Sequence, residues 1–229
     1  MRRAIIPVLF CFVFCGCLTG GMYGSSAKVD SENIFHSYTI PKMQIRVAKD
    51  IKYINTDEED YKVGTGAGDD LPGEIPSKKR TYNFVNPYDP DMECIKIVRI
   101  EFNYLSSNRG WAPITFENIP GLIEHGFTTL DGDDYQYGII LNNYPLTQIS
   151  NNSLKEAYSK IGHSGPIKII NKIFYQTMGS MGGISLMISY SESIPKTIEW
   201  HTSSVLTDEQ KNFLEAFRKR CEQNLVISN

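Results

Sequence analysis

Scattered histidines, serines beside glycines and one carboxylate-rich turn are the residues of this chain whose types could do chemistry. His36, His125, His163 and His201 offer no two imidazoles at the spacing of a zinc site, so no metal is expected. Glu124-His125 and Glu199-Trp200-His201 bring acid and imidazole close in sequence. In an extended chain, however, adjacent side chains point to opposite faces. Glu199 and His201 share a face, opposite Trp200, and read as its solvent side. Ser164 and Ser180 lie beside glycines, but Pro166 and Met178 stand where Gly-x-Ser-x-Gly needs glycine, and Ser180 falls in a hairpin turn rather than a strand–turn–helix elbow. Ser193-Ile194-Pro195-Lys196 has the letters of Ser-x-x-Lys, yet Pro195 opposes the helix that would set serine and lysine one turn apart. No catalytic residue is assigned.

Ligand-binding chemistry is nearly as sparse. Gly64-Thr65-Gly66-Ala67-Gly68 misses the dinucleotide fingerprint because Asp69 replaces its third glycine, and no strand–helix frame surrounds it. No cofactor is expected. Asp131-Gly132-Asp133-Asp134 could gather oxygens for calcium, but Tyr135 and Asn142 stand where an EF-hand loop needs its third oxygen ligand and its bidentate Glu, so the stretch reads as a hairpin turn. Tyr135, Tyr137 and Tyr144 form the one aromatic group suited to stacking on a sugar or peptide, since tyrosine joins a large contact area to a polar tip. The competing reading of these rings is strand packing.

The elements that must position these residues follow from periodicity. Residues 34–54 alternate loosely and could supply one or two strands; residues 55–80, with Asp57-Glu58-Glu59-Asp60, several glycines, Pro72 and Pro76, read as a long exposed loop. Cys94 to Tyr104 alternates Val98, Ile100, Phe102 and Tyr104 against Arg99, Glu101 and Asn103, a half-buried strand. Residues 126–130 and 135–141 form one hairpin, 167–176 and 184–191 another, and 197–203 a last strand. Ser153-Leu154-Lys155-Glu156 and Thr207 to Gln210 have capping-box spacing, predicting helices that end at Gly162 and near Asn224. The second helix carries Phe213, Leu214, Phe217 and Cys221 on one stripe. The fold class is therefore α+β, an antiparallel sheet packed with two helices.

The first residues set the address. Arg2 and Arg3 precede an apolar run from Ala4 to Cys15, too short for a membrane span of roughly 17–25 residues and shaped like an export signal. Phe14-Cys15-Gly16-Cys17 resembles a bacterial lipobox; Gly16 and Cys17 match its pattern, while Phe14 and Cys15 depart from the usual residues. The resemblance implies lipidation of Cys17 and loss of residues 1–16, with plain secretion and an uncleaved anchor as the competing outcomes. Leu18 after the cysteine is similar to outer-membrane sorting signals. The organisation expected is thus a signal peptide over 1–16, a lipid-anchored tether over 17–33, a strand arm and exposed loop over 34–80, and an α+β domain over 81–229.

The order hairpin, helix, hairpin, strand, helix over residues 94–225 resembles the Mog1/PsbP-like fold of small exported lipoproteins and photosystem accessory proteins. That resemblance implies an accessory or binding role and carries no catalytic residue across. After processing, Cys94 and Cys221 are left in a compartment that permits disulfides. Both stand on apolar faces, and a bridge between them is expected if the last helix covers the sheet there; two separate buried thiols are the other reading.

A formal net charge of −3, with no basic run longer than a triplet such as Lys78-Lys79-Arg80, argues against nucleic acid, where phosphate neutralisation dominates affinity. The function expected is that of a non-enzymatic envelope lipoprotein, held on the outer membrane facing the periplasm by membrane lipid through acylated Cys17, with a protein or small-molecule partner. The alternatives are an anchored hydrolase whose site is assembled from distant residues, and a structural subunit of an envelope complex.

Overall fold

The computed structural model describes residues 26–64, 74–86, 94–106, 110–111, 114–144, 167–178, 183–195, 197–200 and 205–228. Eleven strands and one α-helix are built from them. In order these are β1 Ala27–Val29, β2 Ile34–Ser37, β3 Met43–Val47, β4 Lys52–Gly64, β5 Glu74–Val85, β6 Lys96–Leu105, β7 Leu122–Leu130, β8 Asp133–Tyr144, β9 Ile167–Met178, β10 Ile184–Ser193, α1 Asp208–Asn224 and β11 Leu225–Ser228. A 3-10 turn, Phe116–Asn118, lies between β6 and β7. The protein is α+β, with a dominant antiparallel sheet of seven strands in the order β4-β5-β6-β10-β9-β8-β7 and a second sheet of four, β1-β2-β3-β11.

The strand patterns explain which surfaces meet. Register sets Val98, Ile100, Phe102 and Tyr104 of β6 beside Tyr190, Ile188, Leu186 and Ile184 of β10, so these side chains share one face. The small sheet lays Phe35, Met43, Ile45 and Val47 against that face, and Phe35 sits 4.8 Å from the ring of Tyr82 and 5.9 Å from that of Phe102. Helix α1 covers the same core with Leu214, Phe217 and Cys221, and Phe217 lies 5.8 Å from Tyr190. Each such buried side chain is worth about 1.5–3 kcal/mol against exposure, which is what holds sheet, sheet and helix together.

Helix α1 begins as its sequence requires: the Thr207 hydroxyl accepts from the Gln210 N–H at 3.2 Å, and Gln210 Oε1 accepts from the Thr207 N–H at 2.9 Å. Its far end runs straight into β11, whose Leu225 pairs with Val47. A buried bidentate pair also ties α1 to the large sheet, Arg220 Nε and Nη2 donating to a Glu192 carboxylate with no exposed surface. Tyr190 and Asn224 complete that cluster, the Tyr190 hydroxyl donating to Glu192 and Asn224 Nδ2 donating to the Tyr190 oxygen at 2.8 Å.

Several expectations are corrected. Within the stretch 55–80 expected as an exposed loop, residues 55–64 and 74–80 are instead paired strands, in which Glu58 and Glu59 on β4 face Arg80 and Lys79 on β5 across the ladder; residues 65–73 lie outside the described residues. Ion pairs close them: Glu58 with both Lys78 and Arg80, and Glu59 with Lys79. Since β5 spans residue 80 and pairs with β6, the boundary placed between 80 and 81 falls inside a strand of the main sheet. Residues 197–200 form a turn and bend at 197–198 and irregular chain at 199–200 instead of strand, and the remainder of that segment, 201–203, lies outside the described residues. The helix expected from Ser153 to Gly162 also lies outside them, as does Cys17. Cys94 and Cys221 are both free thiols, so the expected bridge is absent. The Cys94 thiol instead points at the Ser193 carbonyl, 3.4 Å away, while Cys221 is buried on the core stripe of α1.

Candidate ligand-binding face

The two-residue period that buries Val98 and Ile100 places Arg99, Glu101 and Asn103 on the other side of the large sheet. Register extends that second face in both directions. Asn83 and Thr81 of β5 stand opposite Arg99 and Glu101. Asn55 and Asp57 of β4 stand opposite Asn83 and Thr81. Beyond β6 come Ser189 and Ser191 of β10, then Ile173 and Asn171 of β9. The face is polar, yet much of it is not solvent-exposed: Asn83 has no exposed surface, and Thr81, Asn171, Ser189 and Ser191 are all buried.

The β4–β6 end is a connected network. Asn83 Nδ2 donates to Asn55 Oδ1 at 3.1 Å and to Asp57 Oδ2 at 2.8 Å, and Asn55 Nδ2 donates to Asp57 Oδ1 at 2.9 Å. Glu101 accepts from Arg99 Nη2 at 3.4 Å and from Asn103 Nδ2 at 3.0 Å, and the Tyr61 hydroxyl donates to Asn103 Oδ1 at 3.0 Å. Glu101 is thus matched by the Arg99 cation, while Asp57 is held by amide donors.

Other polar atoms on the same face are not. Asn83 Oδ1, Arg99 Nε, Asn171 Nδ2 and Gln136 Oε1 are buried with no hydrogen-bond partner. Most buried polar groups in folded proteins find one, because leaving one unpaired costs about 1–3 kcal/mol. Four on one sheet face call for an explanation.

Burial pushes the Tyr61 phenol up to about 12, helped by the nearby charges of Glu101 and Glu59 and by Tyr175. Part of the face is covered by the β6–β7 connection: Phe116 packs on Ile140 and Tyr175, and Trp111 Nε1 donates to the Asn103 carbonyl at 3.1 Å. Gly138 makes the Phe116 contact possible, since a Cβ there would lie 2.4 Å from the Phe116 ring. The stretch from Asn83 to Asn171 is outside that apolar cluster. A separate cleft of about 390 Å³ lies further along β5, between Tyr61, Ser77, Lys78 and Ser106.

The residues singled out by sequence fall elsewhere. Tyr135 is in the main core, 1 % exposed, so its ring packs and cannot stack on a ligand. Tyr137 shares that face of β8; its hydroxyl donates to Glu124 Oε1 at 2.9 Å, Glu124 pairs with Arg218, and Lys172 lies over the Tyr137 ring. Tyr144 ends β8, and its side chain lies outside the described residues. Ser193 is structural, its hydroxyl accepting from the Ile95 N–H at 2.8 Å. His125 is exposed on β7, and Glu124 beside it engages Tyr137 and Arg218 instead. Ser164, Ser180, His163 and His201 lie outside the described residues. Among the described residues a carboxylate–imidazole contact lies where sequence did not suggest one: His36 Nε2 and Asp30 Oδ2 are 2.7 Å apart. Asp30 also accepts from the Ile34 and Glu32 amides, so this pair closes the β1–β2 turn.

Among the described residues no three His, Cys, Asp or Glu gather as a metal site, and no helix is long and apolar enough to cross a membrane. No family model, curated protein or solved structure matches the chain.

Proposed function

We propose that the chain is a membrane-anchored envelope lipoprotein of non-enzymatic binding or accessory type, acylated at Cys17, whose binding surface is the polar face of the seven-stranded sheet. The address rests on the Gly16-Cys17 site and the short apolar run before it. Two or more acyl chains give a stable anchor, at about 0.8 kcal/mol per buried methylene.

The binding surface rests on one observation above the rest: the unpaired buried atoms of Asn83, Arg99, Asn171 and Gln136 share one face. A bound partner that pairs them would remove their cost, and natural proteins retain such costs where function needs them. The central stretch, Asn83, Arg99, Ser189 and Asn171, contains no histidine, thiol or unpaired carboxylate, which favours binding over acid–base or nucleophilic chemistry there.

Native mass spectrometry of the full acylated chain, purified from membranes, tests this. The expected spectrum carries a non-covalent small-molecule adduct that is lost in Asn171→Leu. A wild-type protein with no adduct, and with the same mass and charge distribution as the variant's, would overturn the binding role.

A further inference from the structure

We infer that the end of the small sheet carrying Lys28, Tyr38, Ile40 and Lys42 lies against the anionic phospholipid surface of the membrane that holds the anchor. This rests on the acylation at Cys17 proposed above and adds the orientation of the domain.

Register gathers the four residues where the chain enters the fold. Ala27, the first residue of β1, stands opposite Ser37, and Ser37 stands opposite Met43. The start of β1 is therefore beside the β2–β3 turn, residues 38–42. On that turn Tyr38 is 50 % and Ile40 57 % exposed. Tyr38 is held outward without being buried: its ring stacks on His36 with centroids 5.9 Å apart, and Lys28 Nζ lies 5.6 Å from its centroid. Isolated exposed apolar side chains are ordinary. Here two of them stand among cations at the point where the sequence from Cys17 arrives.

Charge selects the partner. Lys28 and Lys42 are exposed, and among the described residues neither has a carboxylate partner. Lys78, Lys79, Arg80 and Lys96, by contrast, are all in ion pairs. The chain as a whole carries −3, so an anionic surface repels it on average and admits it by a cationic end. The opposite end of the small sheet carries Asp30, Glu32 and Asp50. Each basic residue near an anionic leaflet is worth about fivefold in affinity, and tyrosine favours the headgroup level. Two cations would not anchor a domain alone. Cys17, however, is ten residues before Ala27, which confines the patch to at most about 36 Å from the lipid. Weak contacts then act at high effective concentration. A second copy fits less well, because a two-fold contact sets the patch against itself and brings Lys28 and Lys42 against their own like charges.

The test is amine labelling of the full acylated chain, read residue by residue by mass spectrometry with an uncharged reagent. The chain is reconstituted in vesicles of phosphatidylcholine alone or of phosphatidylcholine mixed equally with phosphatidylglycerol, and flotation reports attachment. Lys49, exposed at the other end of β3 and about 20 Å from Lys42, is the internal control. The expected result is flotation with both vesicles, with Lys28 and Lys42 modified at least about fivefold more slowly in the anionic ones and Lys49 unchanged. Salt at about 1 M, where the Debye length is about 3 Å, should abolish the difference. Lys42→Gln, a surface change, should restore most of the Lys28 rate. Flotation with both vesicles and equal rates at Lys28 and Lys42 would overturn this orientation and leave the anchor standing. Slowing that is equal in the two lipids, or already present in detergent and rising with protein concentration, would assign the patch to uncharged lipid or a second copy and overturn the anionic surface. Flotation with neither vesicle would overturn the anchor and the orientation with it.

Discussion

Asn83 Nδ2 donates to Asp57 Oδ2 at 2.8 Å across the β4–β5 ladder while Oδ1 of the same carboxamide is buried without a partner. One end of this side chain is thus tied into the strand network and the other is buried on the polar face without a partner. Asn171 differs, because no bond described for its Nδ2 holds it to a neighbour.

That difference predicts opposite effects on stability. Asn83→Leu strands the Asp57 and Asn55 oxygens and should destabilise the protein by about 1–3 kcal/mol. Asn171→Leu removes an unpaired buried donor and should stabilise the ligand-free protein by about 1 kcal/mol. Urea unfolding of both variants, stripped of ligand, checks the two signs.

Legibility in the sequence followed the strength of local signals. The β7–β8 turn was readable because Asp131 and Gly132 adopt φ of 50° and 91°, the left-handed pair that Asp-Gly favours. The β9–β10 ribbon and α1 were readable from alternation and from the Thr207 capping box. β4 and β5 were not, since acidic residues, glycines and prolines weigh against strands one residue at a time. The signal that could have found them is non-local: Asp57-Glu58-Glu59-Asp60 and Lys78-Lys79-Arg80 complement each other only once the chain folds back. The second layer was read as two helices, whereas the small sheet β1-β2-β3-β11 and α1 occupy that side. β11 could not be anticipated because it joins residues at opposite ends of the chain. The candidate face stayed hidden for a related reason. Asn83, Arg99 and Asn171 each look like the solvent side of a strand, and only the register of β5, β6, β10 and β9 brings them onto one largely buried face.

The Arg220–Glu192 pair makes a sharper stability prediction. Arg220→Met leaves a fully buried carboxylate without its cation and should cost about 3 kcal/mol, the low end for breaking a buried pair because Arg220 itself is partly exposed. Adding Glu192→Leu to that variant should recover part of the loss. Urea midpoints of the two single variants and the double variant measure it.

Burial, the largest cause for both, pushes the thiols up from 9.0, Cys94 to about 11 and Cys221 to about 12. At pH 8 both should therefore resist a thiol reagent in the folded protein and react rapidly once denatured. The sign for stability is also set. Above pH 9 the unfolded chain releases protons that the folded protein keeps, so the thiol contribution is complete below pH 9 and fades as pH rises toward 11–12. Serine at both positions should flatten stability over that range; an unchanged slope would assign it to other groups.

Anchoring is checked at Cys17. Cys17→Ser should move the protein from the detergent phase to the aqueous phase of a phase separation, or stall it with residues 1–16 attached. Mass spectrometry of the mature amino terminus should find two or three acyl chains on Cys17. An unmodified terminus at another residue would exclude the lipid anchor.

The central claim, that the polar face of the large sheet is a binding surface, is tested most directly by a crystal structure of the full chain purified from its own membrane without a sugar-based detergent. The account predicts density for a small molecule whose polar atoms lie within about 2.7–3.2 Å of Asn83 Oδ1, Arg99 Nε and Asn171 Nδ2. Ordered water alone at those atoms, or pairing of all three with the protein's own groups, would contradict it.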